Sequence, residues 1–171
     1  MPAANQGGTV APSYEAKIRD PRELARWLGE LKRPLVFTNG VFDLLHRGHV
    51  TYLARARGEG GSLLVALNSD ASARRLAKGP DRPLNALADR LAVVAALESV
   101  SAATWFEEDT PEALIRACRP DVLVKGGDWP IERIVGAQEV LGRGGRVLSI
   151  AFEHQRSTTA LVERIRGTID P

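Results

Sequence analysis

Two histidines stand three residues apart with a glycine between them, in His46-Arg47-Gly48-His49. On a helix that spacing puts both imidazoles on one face of a single turn, and Gly48 lets a ligand approach the backbone. Ring N–H groups beside the N–H groups of a helix start suit a phosphate. The same pair also suits zinc, with Cys118, inside an expected helix, or His154, beyond the last expected strand, as the remaining ligands to consider. The 23 basic residues comprise 19 arginines and four lysines, Lys17, Lys32, Lys78 and Lys125. Two of the four precede glycine, in Lys78-Gly79 and Lys125-Gly126. A compact charge beside flexible backbone is what a phosphate contact uses.

These residues need a scaffold that brings them together. Asp20-Pro21-Arg22-Glu23 carries an N-cap acid, a proline at the first helical position and Glu at N3, and predicts a helix through Leu24, Trp27, Leu28 and Leu31. Short apolar runs predict strands at Leu35 to Asn39, Ser62 to Leu67, Ala103 to Phe106, Asp121 to Val124 and Arg146 to Phe152. Helical patterns lie between them, from Gly48, over Leu87 to Leu97, after Thr110-Pro111 and over Ile131 to Leu141, with a last helix capped by Ser157-Thr158. Strands apolar on both faces belong to a parallel sheet covered by helices. The reading is α/β: a single Rossmann-like doubly wound sheet of about five parallel strands with helices on both faces. Such sheets bind ligands at the strands' carboxyl ends. Polar and glycine residues collect there, in Asn39-Gly40, Asn68-Ser69-Asp70, Lys125-Gly126-Gly127-Asp128 and Arg156-Ser157-Thr158-Thr159.

Met1 to Ser13 lacks periodicity and reads as a disordered lead, followed by one domain over residues 14–171. A chain of 171 residues, 44% hydrophobic and 26% charged, is the mix of one globular domain. One cysteine makes no internal bridge and suggests a reducing cytoplasm. A net charge of +2, evenly spread, argues against a nucleic-acid partner. Apolar runs fall short of the ~20 residues of a membrane span, and no export signal opens the chain.

The run Thr38-Asn39-Gly40-Val41-Phe42-Asp43-Leu44-Leu45-His46-Arg47-Gly48-His49 resembles the HxGH signature of the nucleotidyltransferase superfamily, in its cytidylyltransferase-like branch. Arg156-Ser157-Thr158-Thr159 is similar to that branch's closing Ser-Thr motif. Lys125-Gly126-Gly127-Asp128-Trp129, with Phe106-Glu107-Glu108-Asp109-Thr110-Pro111 upstream, resembles the adenylyltransferases acting on D-glycero-β-D-manno-heptose 1-phosphate. The length leaves no room for the sugar kinase that precedes this domain in many bacteria, so the stand-alone form is expected.

The resemblance implies transfer of AMP from ATP to the heptose 1-phosphate, giving ADP-heptose for lipopolysaccharide inner-core synthesis and pyrophosphate. Mg²⁺ would be held mainly by ATP phosphates, with no protein metal site. His46, His49 and Lys78 would be catalytic. Thr38, Asn39, Gly40, Phe42 and Gly126 would line the nucleotide pocket, with Arg156, Ser157, Thr158 and Thr159 on the outer phosphates. Asp43, Asn68, Asp70, Lys78, Arg82, Arg90, Lys125, Asp128 and Trp129 would face the sugar phosphate. For Arg90 the alternative is a solvated helix face, and for Asp43 a turn-stabilising acid. The Lys78 to Pro83 loop is expected to close over nucleotide. A homo-oligomer, a dimer with Trp27 or Trp105 at its interface, is also implied. A cytidylyltransferase for glycerol 3-phosphate and a non-catalytic nucleotide-binding module are the alternative functions.

Overall fold

The computed structural model describes residues 11–76 and 82–153, together with 161, 162, 164, 165 and 167. Five strands, β1 (Leu35–Gly40), β2 (Ser62–Asn68), β3 (Ala102–Phe106), β4 (Val122–Gly126) and β5 (Arg146–Ile150), form one parallel sheet in the order β3-β2-β1-β4-β5. The described helices are α1 (Leu24–Trp27), α2 (Arg47–Arg57), α3 (Asp70–Arg75), α4 (Leu87–Ala95), α5 (Glu112–Cys118) and α6 (Ala137–Gly142).

Strand alternation sends the apolar runs to two cores. Val36, Leu63, Val65, Leu67, Val122 and Val124 pack with Tyr52 and Leu53 of α2 and Leu91 and Val94 of α4. Leu35, Phe37, Leu64, Ala66 and Leu123 pack on the other face with Trp27, with Ile115 and Cys118 of α5 and with Val140 of α6. Both faces are covered, as strands this apolar require. Trp27 therefore belongs to the core and not to an interface, with its indole N–H donating to Asp20 O at 2.8 Å. Among the described residues no helix is long and apolar enough to cross a membrane.

Four local expectations are revised. The first helix is broken into 3-10 turns at Pro21–Glu23 and Leu28–Glu30 around a short α1, and the Asp20 carboxylate accepts from Arg22 N at 2.9 Å. The helix expected over Ile131 to Leu141 is interrupted at Gly136, whose φ of +84° breaks the helical run; a Cβ there would lie 2.9 Å from Ile115. After β2, Ser69 caps an additional helix, α3, by accepting from Ser72 N. Ser13, expected in the lead, opens a 3-10 turn, after which Ile18 bridges Ala103 and Arg19 N donates to Ala103 O. That segment shields the β3 edge of the sheet.

The order reverses between β1 and β4, because the chain winds outward to β2 and β3 on one side and to β4 and β5 on the other. The β1–β4 register comprises Val36 opposite Val122 and Phe37 opposite Leu123. Thr38 and Val124 come next, and between them stands the hydroxyl of Tyr52, 2.5 Å from Thr38 Oγ1 and donating to Val124 O at 3.3 Å. Burial pushes the Tyr52 hydroxyl pKa far above its usual value against the opposing bond from Thr38, so it stays protonated. Tyr52→Phe is expected to lower stability by about 1–3 kcal/mol, since Thr38 loses its partner in a closed site. Adding Thr38→Val should recover part of that loss, as read by urea unfolding.

Candidate active site at the carboxyl ends of the first and fourth strands

Six of the expected residues meet where β1 and β4 end. Lys125 Nζ donates to Asn39 Oδ1 at 3.3 Å and so links the two strand ends across the reversal. His46 is the N-cap of α2, and its carbonyl accepts from His49 N at 2.9 Å, which sets one helical turn between the two rings. The imidazoles lie stacked, with centroids 3.9 Å apart and 20° between planes. Phe42 and Phe152 meet the His49 ring edge-on, at 5.4 and 6.0 Å, and fix its tilt. Gly40 and Gly126 complete the floor. A Cβ on Gly126 would stand 2.8 Å from Phe152 and 3.2 Å from Tyr52, so only glycine lets those rings approach.

Other expected residues take different positions. Thr38 is wholly buried and turned toward Tyr52, because the alternation that sends Val36 to the α2 face sends Thr38 there too. It does not line the pocket. Phe42 is 7% exposed and supports His49 from the core side, with a backbone φ of +49°. Asn68 is buried and donates to Ser72 Oγ, which donates on to Glu108 O, so its amide holds α3 rather than facing an open pocket. Asp128 is exposed, and Trp129, half exposed, donates its indole N–H to Gly126 O at 3.1 Å. Lys78, Arg156, Ser157, Thr158 and Thr159 lie outside the described residues, as does most of the expected Lys78 to Pro83 lid.

A second cluster braces the segment Val41–His46 that carries the histidines. Asp43 accepts from Arg82 Nη1 at 2.8 Å, Leu84 N at 2.8 Å and Asn85 N at 3.0 Å, and Asn85 Nδ2 donates back to Asp43 O. Arg90 is 1% exposed, so the solvated-face alternative is overturned. Its guanidinium donates to Val41 O, Asn85 O and Asp70 Oδ1 at 2.7 to 3.0 Å, and so pins the loop from beneath. Three acceptors commit this arginine to the protein itself. Asp70 Oδ1 takes one of these bonds. Tyr52, Asn85 and Phe152 escaped the sequence reading. Tyr52 follows His49 at i+3 on the same helix face, and that spacing was the available signal.

Cys118 sits in the core on the opposite face from Tyr52 and the α2 turn, and burial pushes its thiol up to about 12, with Arg33 opposing. It is no partner for the histidines. Among the described residues no three His, Cys, Asp or Glu side chains could hold a metal ion.

Burial acts to raise the Asp43 pKa, but the N–H groups of Asn85 and Leu84 and the Arg82 guanidinium outweigh it and hold the carboxyl below its usual value. With a depressed folded value, its stabilisation is present above the unfolded value near ~4 and is lost as pH falls through the folded one. Asp43→Ala is expected to cost about 3 kcal/mol, because it strands Arg82 in a site where that side chain is only 14% exposed. Unfolding curves at neutral pH and below pH ~4 should differ between the variant and the parent mainly at neutral pH.

Comparison with known proteins gives the family. The chain is 54% identical over 155 residues to D-beta-D-heptose 1-phosphate adenylyltransferase of Bordetella bronchiseptica, covering 90% of this chain and 96% of that one. It is 55% identical over 163 residues to the bifunctional protein HldE of Hahella chejuensis, of which it spans 32%. A lipopolysaccharide core biosynthesis protein from Thermoplasma volcanium superposes with a TM-score of 0.57 at 26% identity, over 71% of this chain and 98% of that chain. A pantoate-beta-alanine ligase from Francisella tularensis shares the fold, with a TM-score of 0.54 at 13% identity over 83% of this chain and 68% of that one. The family model described as cytidylyltransferase-like matches residues 37–164, a span that takes in the strand reversal, the histidine pair and both glycine floors, and the chain belongs to that family.

Proposed function

We propose that this chain is an adenylyltransferase that joins AMP from ATP to D-glycero-β-D-manno-heptose 1-phosphate, releasing pyrophosphate and ADP-heptose for lipopolysaccharide core synthesis. The observation that carries the reaction type is the stacked His46–His49 pair at the start of α2, beside the Lys125–Asn39 link at the strand reversal. The similarity to the heptose 1-phosphate adenylyltransferase over nearly its whole length supports the acceptor.

A phosphate monoester has its second pKa near ~6 and is already anionic at neutral pH, so the nucleophile needs no general base. The site's task is to align two anions that repel and to meet the charge that gathers on the α- and β-phosphate oxygens. In this reading His46 and His49 donate to those oxygens, and Lys125 offers a compact charge at the end of β4. Gly40 and Gly126 leave room for the nucleotide against the backbone, with the Phe152 ring as one wall. Arg82, held by Asp43, faces the acceptor phosphate together with Lys78, and Arg156, Ser157, Thr158 and Thr159 take the outer phosphates. Asp43 is engaged by Arg82 and two backbone N–H groups. Mg²⁺ would be held mainly by the ATP phosphates, whose charge it would neutralise.

Pyrophosphate release is the test, with ATP and CTP each offered the heptose 1-phosphate, glycerol 3-phosphate and a hexose 1-phosphate. ATP with the heptose 1-phosphate should turn over fastest; preference for CTP and glycerol 3-phosphate, or no release with any pair, would overturn the assignment. His46→Ala and His49→Ala should each lower turnover by ~10²–10³ while thermal unfolding stays near the parent.

A further inference from the structure

The two sides of the strand reversal carry different side chains. Asp70 and Arg90, with the Asp43–Arg82 pair, gather on the β2 side. On the other side, where β4 and β5 end, stand two partly exposed aromatic rings, Phe152 at 39% and Trp129 at 48%. The rim of the Phe152 ring reaches both glycines of the β4 end. A Cβ on Gly126 would stand 2.8 Å from its Cζ, and one on Gly127 would stand 4.0 Å from its Cε2. That same Cβ on Gly127 would stand 2.9 Å from the indole nitrogen of Trp129. Two rings therefore share one floor that has no side chain of its own.

The Trp129 ring is exposed yet held. Its indole N–H donates to Gly126 O at 3.1 Å, and its backbone N–H donates to Ser149 Oγ at 2.9 Å. Ser149 Oγ donates in turn to Gly127 O at 2.6 Å, and Gly127 N donates to Ile150 O at 2.9 Å. Ser149 stands beside Lys125 in the β4–β5 register, so one strand hydroxyl bridges both ends of the Gly127–Trp129 turn. Water gives an exposed indole no reason to keep one orientation, and these bonds hold its face ready for a flat ligand.

We propose that Trp129, with Phe152, receives the nucleobase of ATP and that Ser149 is the positioning residue that sets the indole, a role that rests on the nucleotide chemistry proposed for this site. Trp129 then serves the nucleotide and not the acceptor sugar phosphate, because its ring is tied to the glycine floor and lies across the reversal from Arg82 and Asp43. Every base has a π-face, and stacking on an aromatic side chain changes affinity by about tenfold or more. A purine covers more of an indole than a pyrimidine does, so the same ring favours ATP over CTP.

Calorimetric titration of the full chain with a non-hydrolysable ATP analogue, its CTP counterpart and inorganic tripolyphosphate separates base from phosphate. Trp129→Ala should weaken the ATP analogue by about tenfold, narrow its advantage over the CTP analogue and leave tripolyphosphate binding unchanged. Trp129→Phe keeps a ring face and should lose less. Ser149→Ala should also weaken the ATP analogue and spare tripolyphosphate, and Ser149→Thr, which keeps the hydroxyl, should restore it. Thermal midpoints should stay near the parent, since neither side chain belongs to the two cores. In turnover, Trp129→Ala should raise the KM for ATP and leave the KM for the heptose 1-phosphate in place. Unchanged affinity for the ATP analogue in Trp129→Ala and Ser149→Ala, equal weakening of tripolyphosphate, or a rise confined to the acceptor KM would overturn this assignment and leave the adenylyltransferase reading standing. A parent chain that binds no ATP analogue would overturn both.

Discussion

The parting of β1 from β4 after one short stretch of pairing is the constraint on which the rest of the molecule hangs. Parallel strands would normally continue their ladder, but Tyr52 inserts its hydroxyl between Thr38 and Val124, pairing with the Thr38 hydroxyl and donating to the Val124 carbonyl. The strand ends beyond are then free to separate and to present Asn39-Gly40 on one side and Lys125-Gly126 on the other. Tyr52 belongs to the same helix as His46 and His49, so one helix both wedges the strands and carries the imidazoles over the gap.

Around that wedge the supporting contacts are graded by burial. Arg90, fully enclosed, holds the carbonyl of Val41 and ties α4 to α3 through Asp70. Asp43, nearly enclosed, gathers Arg82 and the amides of Leu84 and Asn85. The histidine rings, at the top, are held by stacking and by aromatic edges. This arrangement suits phosphoryl chemistry, in which positioned donors matter more than a proton acceptor. A loop pinned at its base and a stacked pair at its tip keep those donors in place before any substrate arrives.

Much of this was legible from the residues because strands that face two cores must be largely apolar on both sides, as β1 and β2 are over most of their length. The histidine pair was legible because helical spacing puts i and i+3 on one face whatever the surroundings. What escaped depended on partners distant in sequence. Thr38 reads as a pocket residue until strand parity is fixed by Val36 and Leu35. Arg90 reads as a substrate-phosphate residue, with a solvated helix face as the alternative, until Val41, Asn85 and Asp70, brought from three other segments, are seen to meet it. Tyr52 goes unnoticed, since nothing in the sequence announces that the β1–β4 ladder will stop beside it. The break at Gly136 depends on close approach of Ile115 from α5, which periodicity alone does not show.

The most direct test of the account is a crystal structure of the chain with a non-hydrolysable ATP analogue. The triphosphate should lie in the gap between the ends of β1 and β4, with ring nitrogens of both His46 and His49 within hydrogen-bonding distance of its α- and β-phosphate oxygens. A triphosphate bound elsewhere on the sheet, or imidazoles turned away from it into the core, would contradict it.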